Sequence, residues 1–217
     1  MLLDPDRAHV AIHGFQRFLG FLDREAEVLL AKTPWSCRGP GCCGCCYQVV
    51  LVGPLEALLL ALHEVHQADW EMRVARLAQA AAPFRRLALT YQEHFQTAQL
   101  CPYCRAGSCE VYGVRPVVCR LYGVTQTDPG SCWPPGGKLN VIDTRDQMSR
   151  GYRWAGLAGL DLGLDDFRAP LSVMVLWGIG QLGTSEQREY VAQFNPVDVV
   201  QWDQRAAGRV PRKGHHG

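Results

Sequence analysis

All ten cysteines of this 217-residue chain fall in two blocks, residues 36–47 (SCRGPGCCGCCY) and residues 100–133. The first block crowds Cys37, Cys42, Cys43, Cys45 and Cys46 together, with Gly39, Pro40, Gly41 and Gly44 as turn formers between them. A segment of this composition is expected to be neither helix nor strand. The second block holds Cys101, Cys104, Cys109, Cys119 and Cys132. It opens on Cys-Pro-Tyr-Cys, a spacing that lets one metal ion take both thiolates, and Cys42/Cys45 and Cys43/Cys46 share that spacing. Two such clusters, more than fifty residues apart, point to a single site closed by folding.

Ten thiolates exceed the four of one structural zinc or one four-iron cluster, so two metals or a polynuclear cluster are both open. Side chains of adjacent residues diverge, which makes Cys45 and Cys46 poor co-ligands of one tetrahedral ion and leaves one of them for a second metal. Four thiolates around a divalent ion carry a net charge near −2 and favour nearby cations. Arg38 in the first block and Arg105, Arg115 and Arg120 in the second supply them, with Glu110 and Asp128 the only acids between Cys101 and Cys132. The plain alternative is that these arginines are ordinary surface charge.

Other uses of the cysteines fit less well. Secretory disulfides would need an export signal, and the start MLLDPDRAHV has acids and a proline where a basic start and an apolar run are required. The expected compartment is therefore the cytoplasm, where cysteine-rich segments bind metal or carry out chemistry. Cys101-Pro-Tyr-Cys104 is similar to the redox motif of glutaredoxins, but that motif opens a helix, whereas here Arg105-Ala-Gly-Ser leads to another cysteine. Merely buried cysteines would be scattered through apolar stripes.

A chain of this length buries roughly 70% of its unfolded surface and needs no staples. With 47% hydrophobic and 20% charged residues it reads as one soluble globular domain, 1–217. Within it lie an N-terminal helix (1–33), the cysteine-cluster region (36–133), a C-terminal helical part (137–208) and a basic tail (209–217). A net charge of +1 gives no broad attraction to nucleic acid or anionic membrane, and the tail lacks the interleaved aromatics of a nucleic-acid binder. The longest apolar stretch, 171–179, is half the ~20 residues of a membrane span. No phosphate loop, serine elbow or carboxylate pair appears, so whether the protein is an enzyme stays open. His63 and His66 sit at a helical spacing that can bind metal, yet no acid ligand is in register; they and His94 read as a packed or solvated face.

Helical periodicity runs from about residue 5 to 31 through Ile12, Phe15, Phe18, Leu19, Leu22, Ala26, Leu29 and Leu30, with Asp23 and Arg24 off that stripe. Further helices are expected from Pro54 through Val65, from Trp70 to about 81 behind an Asp69 cap, and from Pro83 to about 96. Residues 169–182, 185–194 with a Ser185 cap, and 196–207 complete the set. Residues 48–52 read as a strand or extended packing. Residues 136–163 read as mostly loop with a short helix somewhere within them. The fold class is thus mainly α, with two irregular cysteine-rich loops converging on a metal centre.

The second block carries a resemblance. Cys109-Glu-Val-Tyr-Gly-Val-Arg-Pro-Val-Val-Cys119-Arg120, after a CC-rich first block, resembles the YkgJ-type cysteine-cluster family, a zinc- or iron-chelating domain. The resemblance covers about residues 36–133. It implies Cys37, Cys42, Cys45, Cys46, Cys101, Cys109, Cys119 and Cys132 as metal ligands. Arg115, Pro116 and Arg120 match its Arg-Pro and Cys-Arg pairs, with the two arginines near the cofactor, an iron–sulfur cluster or zinc. Cys43 and Cys104 replace a glycine and an apolar residue of the pattern and are expected to face each other, either as further ligands of an enlarged cluster or as a reversible redox pair. Four residues rather than two separate Cys37 from Cys42. A similar pattern in flagellin lysine methylases implies an iron–sulfur-dependent enzyme as the alternative. No protein partner is indicated beyond metal ions.

Overall fold

The computed structural model describes residues 3–30, 46, 49–85, 100–121, 150–151, 153–154 and 167–206. Among these the protein is mainly helical with little sheet. The chain falls into two compact units, each made of two segments: Met1–Tyr47 with Tyr103–Gly163, and Gln48–Pro102 with Leu164–Gly217. The cysteine-cluster region 36–133 is thus shared between them, because its intervening helices pack with the C-terminal ones.

In the first unit, helix α1 (Pro5–Leu30) follows from its period. Ala8, Ala11, Ile12, Phe15, Phe18, Leu19, Leu22 and Ala26 are buried along one stripe. Asp4 caps its start, accepting from the Asp6 and Arg7 amides at 3.0 and 3.2 Å. Arg150, Gly151, Arg153 and Trp154 are helical, which agrees with a short helix expected in that stretch. A side chain on Gly151 would come within 2.9 Å of the Phe15 and Phe18 rings, and Trp154 stacks on Phe21 at 5.8 Å.

The second cysteine block is more regular than its composition suggests. Strands β2 (Cys104–Arg105) and β3 (Ser108–Cys109) form an antiparallel hairpin, a one-turn 3-10 helix spans Tyr112–Val114, and helix α4 covers Val117–Leu121. The expectation of an irregular loop is corrected here: a two-residue turn at Ala106-Gly107 sets the hairpin, and Pro116 starts the helix. Pro116 also holds Arg115 extended (ψ 149°), which ends the 3-10 turn. Val117 and Leu121 are buried, and α4 packs on α1.

The second unit is built on α2 (Pro54–Val65), α3 (Trp70–Ala81) and α5 (Leu171–Leu182). Pro54 fits the first helical position, and the Gly53 amide donates to the Glu56 carboxylate at 2.8 Å, so Glu56 caps the helix rather than merely facing its dipole. Helices α2 and α5 cross closely. A Cβ on Gly178 would lie 2.8 Å from the Ala57 carbonyl oxygen, so glycine is what permits the approach. Asp69 occupies the cap position of α3 without a side-chain cap bond. Beyond α3 the chain tightens into a 3-10 turn at Ala82–Arg85, where a fourth helix from Pro83 was expected; its remainder lies outside the described residues.

Leu51–Val52 (β1) pairs antiparallel with Ala169–Pro170 (β4), in register Leu51↔Pro170. Helix α6 (Ser185–Ala192) is capped one residue earlier than expected, by Thr184, in a capping box with Gln187 (2.9 and 3.3 Å). Helix α7 (Val199–Ala206) begins later than the expected Pro196, with Asp198 accepting from the Val200 amide at its start, and buries Trp202 against Phe84. No described helix is long and apolar enough to cross a membrane.

His63 and His66 fall on the α2 end of this unit. His66 Nδ1 lies 2.7 Å from the Leu62 carbonyl oxygen, and no described group of three His, Cys, Asp or Glu side chains surrounds either. Burial lowers the His63 pKa below its ordinary 6.5; Glu64 opposes this, while Arg73 and His66 add to it. A depressed folded pKa means that the stability from neutral His63 is fully present above the unfolded value and is lost as pH falls through the folded one. Urea midpoints of the parent and of His63→Gln, compared from about pH 7.5 to about pH 5, should converge toward the acid end as the parent loses more. Parallel curves would contradict the assignment.

Candidate metal centre

Five candidate ligands lie among the described residues. Cys46 is buried; Cys101, Cys104, Cys109 and Cys119 are half-buried. Cys37, Cys42, Cys43, Cys45 and Cys132 lie outside the described residues, and so does the convergence of the two blocks. So does the expected meeting of Cys43 with Cys104. Among the described residues no three His, Cys, Asp or Glu side chains come together as a metal group.

The structure does bring Cys104 and Cys109 together, directly opposite each other on the β2–β3 hairpin. Ala106 (φ 47°) and Gly107 (φ 77°) make its turn, both in the left-handed region that two-residue hairpins require. Alanine there costs about 1–2 kcal/mol, so flanking contacts must hold the turn. Cys104 leads into a strand and not a helix, which sets this segment apart from glutaredoxin-type redox motifs. Cys101 belongs to the other unit, where with Val49, Ala80, Phe84, Leu100 and Leu171 it lines an apolar cavity of about 30 Å³. That space suits a water molecule rather than a substrate.

Cys119 rides on α4 beside Arg120. The Arg120 guanidinium is buried, and its Nε donates to the Arg115 carbonyl at 2.9 Å, its Nη2 to the Gly113 carbonyl and its Nη1 to Asp23 of α1. Arg120 therefore ties together the 3-10 turn, the start of α4 and helix α1. Burial lowers its pKa; the hydrogen bond and charge of Asp23 oppose this, Arg115 lowers it further and the neighbouring Cys119 raises it. Arg115 lies 3.8 Å from Asp23 and stacks over the Tyr112 ring at 3.7 Å. The two arginines expected beside a cofactor thus have structural partners as well, and the block's cationic excess is met from α1.

Asp23 is the residue that spacing alone did not single out. It sits off the apolar stripe of α1 and reads as a solvated charge. The shortage of acids inside the second block was the available signal, since three arginines there face two acids and a buried guanidinium needs a counter-charge. Asp23→Ala should cost about 1–3 kcal/mol, read from urea unfolding, because it strips a buried arginine of its charged partner. A loss below about 0.5 kcal/mol, as for an ordinary surface charge, would contradict the clamp.

The donor set suits soft-metal chemistry. Thiolates select zinc, copper(I) or iron–sulfur clusters over hard cations, and a thiolate at Cys119 has the Arg120 cation beside it. A protein-family scan finds no matching family model, and no curated protein and no solved structure matches this chain.

Proposed function

We propose that this chain is a cysteine-cluster metal-binding protein, holding iron in an iron–sulfur cluster or zinc through thiolates, in a storage, delivery or structural role. The pairing of Cys104 with Cys109 across a tight hairpin, in the unit that also contains Cys46 and Cys119, supports this reading most strongly. Cys37, Cys42, Cys45, Cys46, Cys101, Cys109, Cys119 and Cys132 are the ligands implied by the YkgJ-type resemblance, with Arg115 and Arg120 supplying positive charge nearby. The reading places the protein in the reducing cytoplasm, where such thiolates stay available.

Elemental analysis of anaerobically purified protein tests it. At least one zinc or iron per chain is expected. Brown protein with broad visible absorption identifies an iron–sulfur cluster, and colourless protein with stoichiometric zinc identifies a zinc site. Less than one metal per chain, with every thiol reactive, would contradict the proposal.

A further inference from the structure

We propose that Cys104 is itself a metal ligand and shares one ion with Cys109 across the β2–β3 hairpin, a step that rests on the metal-binding reading above. The family pattern has an apolar residue at this position, so the hairpin geometry and not the resemblance points to it.

The turn at Ala106-Gly107 makes Arg105 and Ser108 the pair next to the loop. One step beyond the cysteines, the Glu110 amide donates to the Tyr103 carbonyl at 2.9 Å, which identifies Tyr103 and Glu110 as a hydrogen-bonded pair. In an antiparallel ladder, hydrogen-bonded and non-hydrogen-bonded pairs alternate, so Cys104 and Cys109 form the non-hydrogen-bonded pair between. Their Cα atoms then lie about 4.5 Å apart, with Cβ atoms at about the same separation or slightly more. Two thiolates on a tetrahedral ion with bonds of about 2.3 Å sit about 3.8 Å from each other. Side-chain rotation alone brings the sulfurs to that separation. A disulfide accepts Cα atoms about 4.4–6.8 Å and Cβ atoms about 3.5–4.5 Å apart, so this backbone also admits one, and the thiol state of the anaerobic protein tells the two apart.

The period of two puts the hairpin's own charged side chains on the face away from the cysteines. Tyr103, Arg105, Ser108 and Glu110 belong to the opposite face. Tyr103 is buried there, and Arg105 and Glu110 face each other diagonally at 3.9 Å. When the ion binds, each thiol releases its proton to solvent and the two sulfurs become its donors, so binding tightens as pH rises.

Zinc competition against a chelator and the charge-transfer band of the cobalt-substituted protein test the pairing, using the full-length chain. Cys104→Ser and Cys109→Ser should each weaken zinc binding by more than the roughly 10–100-fold that loss of an outer-shell partner brings, and each should dim the thiolate band. Because they serve one ion, the double variant should lose less than the sum of the two single losses. Cys104→His guards against a serine variant that does not fold: metal stoichiometry should be kept while the spectrum loses one thiolate. A metallated Cys104→Ser protein with the parent's affinity and band, an unchanged thiolate count in Cys104→His, or a Cys104–Cys109 disulfide in anaerobic parent protein would overturn the shared site alone. A parent that takes up neither zinc nor cobalt would overturn the metal-binding reading and this site with it.

Discussion

Stripping the metal from the anaerobically purified protein is expected to unfold the unit formed by Met1–Tyr47 and Tyr103–Gly163 while the helices of the other unit stay protected. Ligands drawn from segments far apart in sequence make metal binding part of the folding free energy, about 10–16 kcal/mol for structural zinc. That matches or exceeds the whole stability of an ordinary domain, about 5–15 kcal/mol. In this unit the described elements are one long helix, a hairpin with two-residue strands, a 3-10 turn, the five-residue α4 and helical residues at 150–151 and 153–154, and the expected ligands Cys46, Cys109 and Cys119 lie among them. In the other, α2 and α5 bury nearly their whole circumference. Hydrogen exchange followed by mass spectrometry reads the two separately: chelation should release amides of α1, β2–β3 and α4 and spare those of α2, α3 and α5. Unchanged protection throughout would make the metal peripheral to the fold and favour delivery over a structural role.

Glu64→Ala is expected to destabilise the α2–α3–α5 unit by about 3–5 kcal/mol, because it breaks a buried ion pair by removing the carboxylate that a buried guanidinium grips through two nitrogens. Glu64 has no exposed surface and Arg73 very little; Arg73 grips both carboxylate oxygens, Nε to Oε2 at 2.7 Å and Nη2 to Oε1 at 2.9 Å. The fork joins the last turn of α2 to the first turn of α3 across the connection 66–69. Replacing both residues by leucine should recover most of the loss, since removing the whole ion pair also removes its desolvation cost. Urea unfolding followed by the helical signal measures both. A single-variant loss below about 1 kcal/mol would place the pair with exposed salt bridges instead.

Much of the helical framework was legible because its signals are local. The stripe from Ile12 to Ala26 fixed α1, Pro54 fixed the start of α2, and Trp70 after Asp69 fixed α3, all within a residue or two of what the structure shows. Ambiguity arose where two polar residues competed for one role, as when Thr184 and not Ser185 took the cap of α6. The hairpin at Cys104–Cys109 was missed because its strands are too short for alternation to register, and the turn is set by Ala106 in a conformation alanine seldom adopts. Of the site, spacing and charge are the ground for proposing thiolates with cations beside them, and the structure adds where Arg115 and Arg120 sit. Asp23 was not legible in the sequence, since its partnership with Arg115 and Arg120 depends on how α4 packs on α1, ninety-odd residues away in sequence.

X-ray absorption at the metal edge of the anaerobically purified protein addresses the central claim most directly. A thiolate site predicts a first shell dominated by sulfur, at about 2.3 Å for zinc. Cys104→Ser should lower the sulfur count relative to the parent. A first shell of nitrogen and oxygen alone, at about 2.0–2.2 Å, would contradict a metal held by these cysteines.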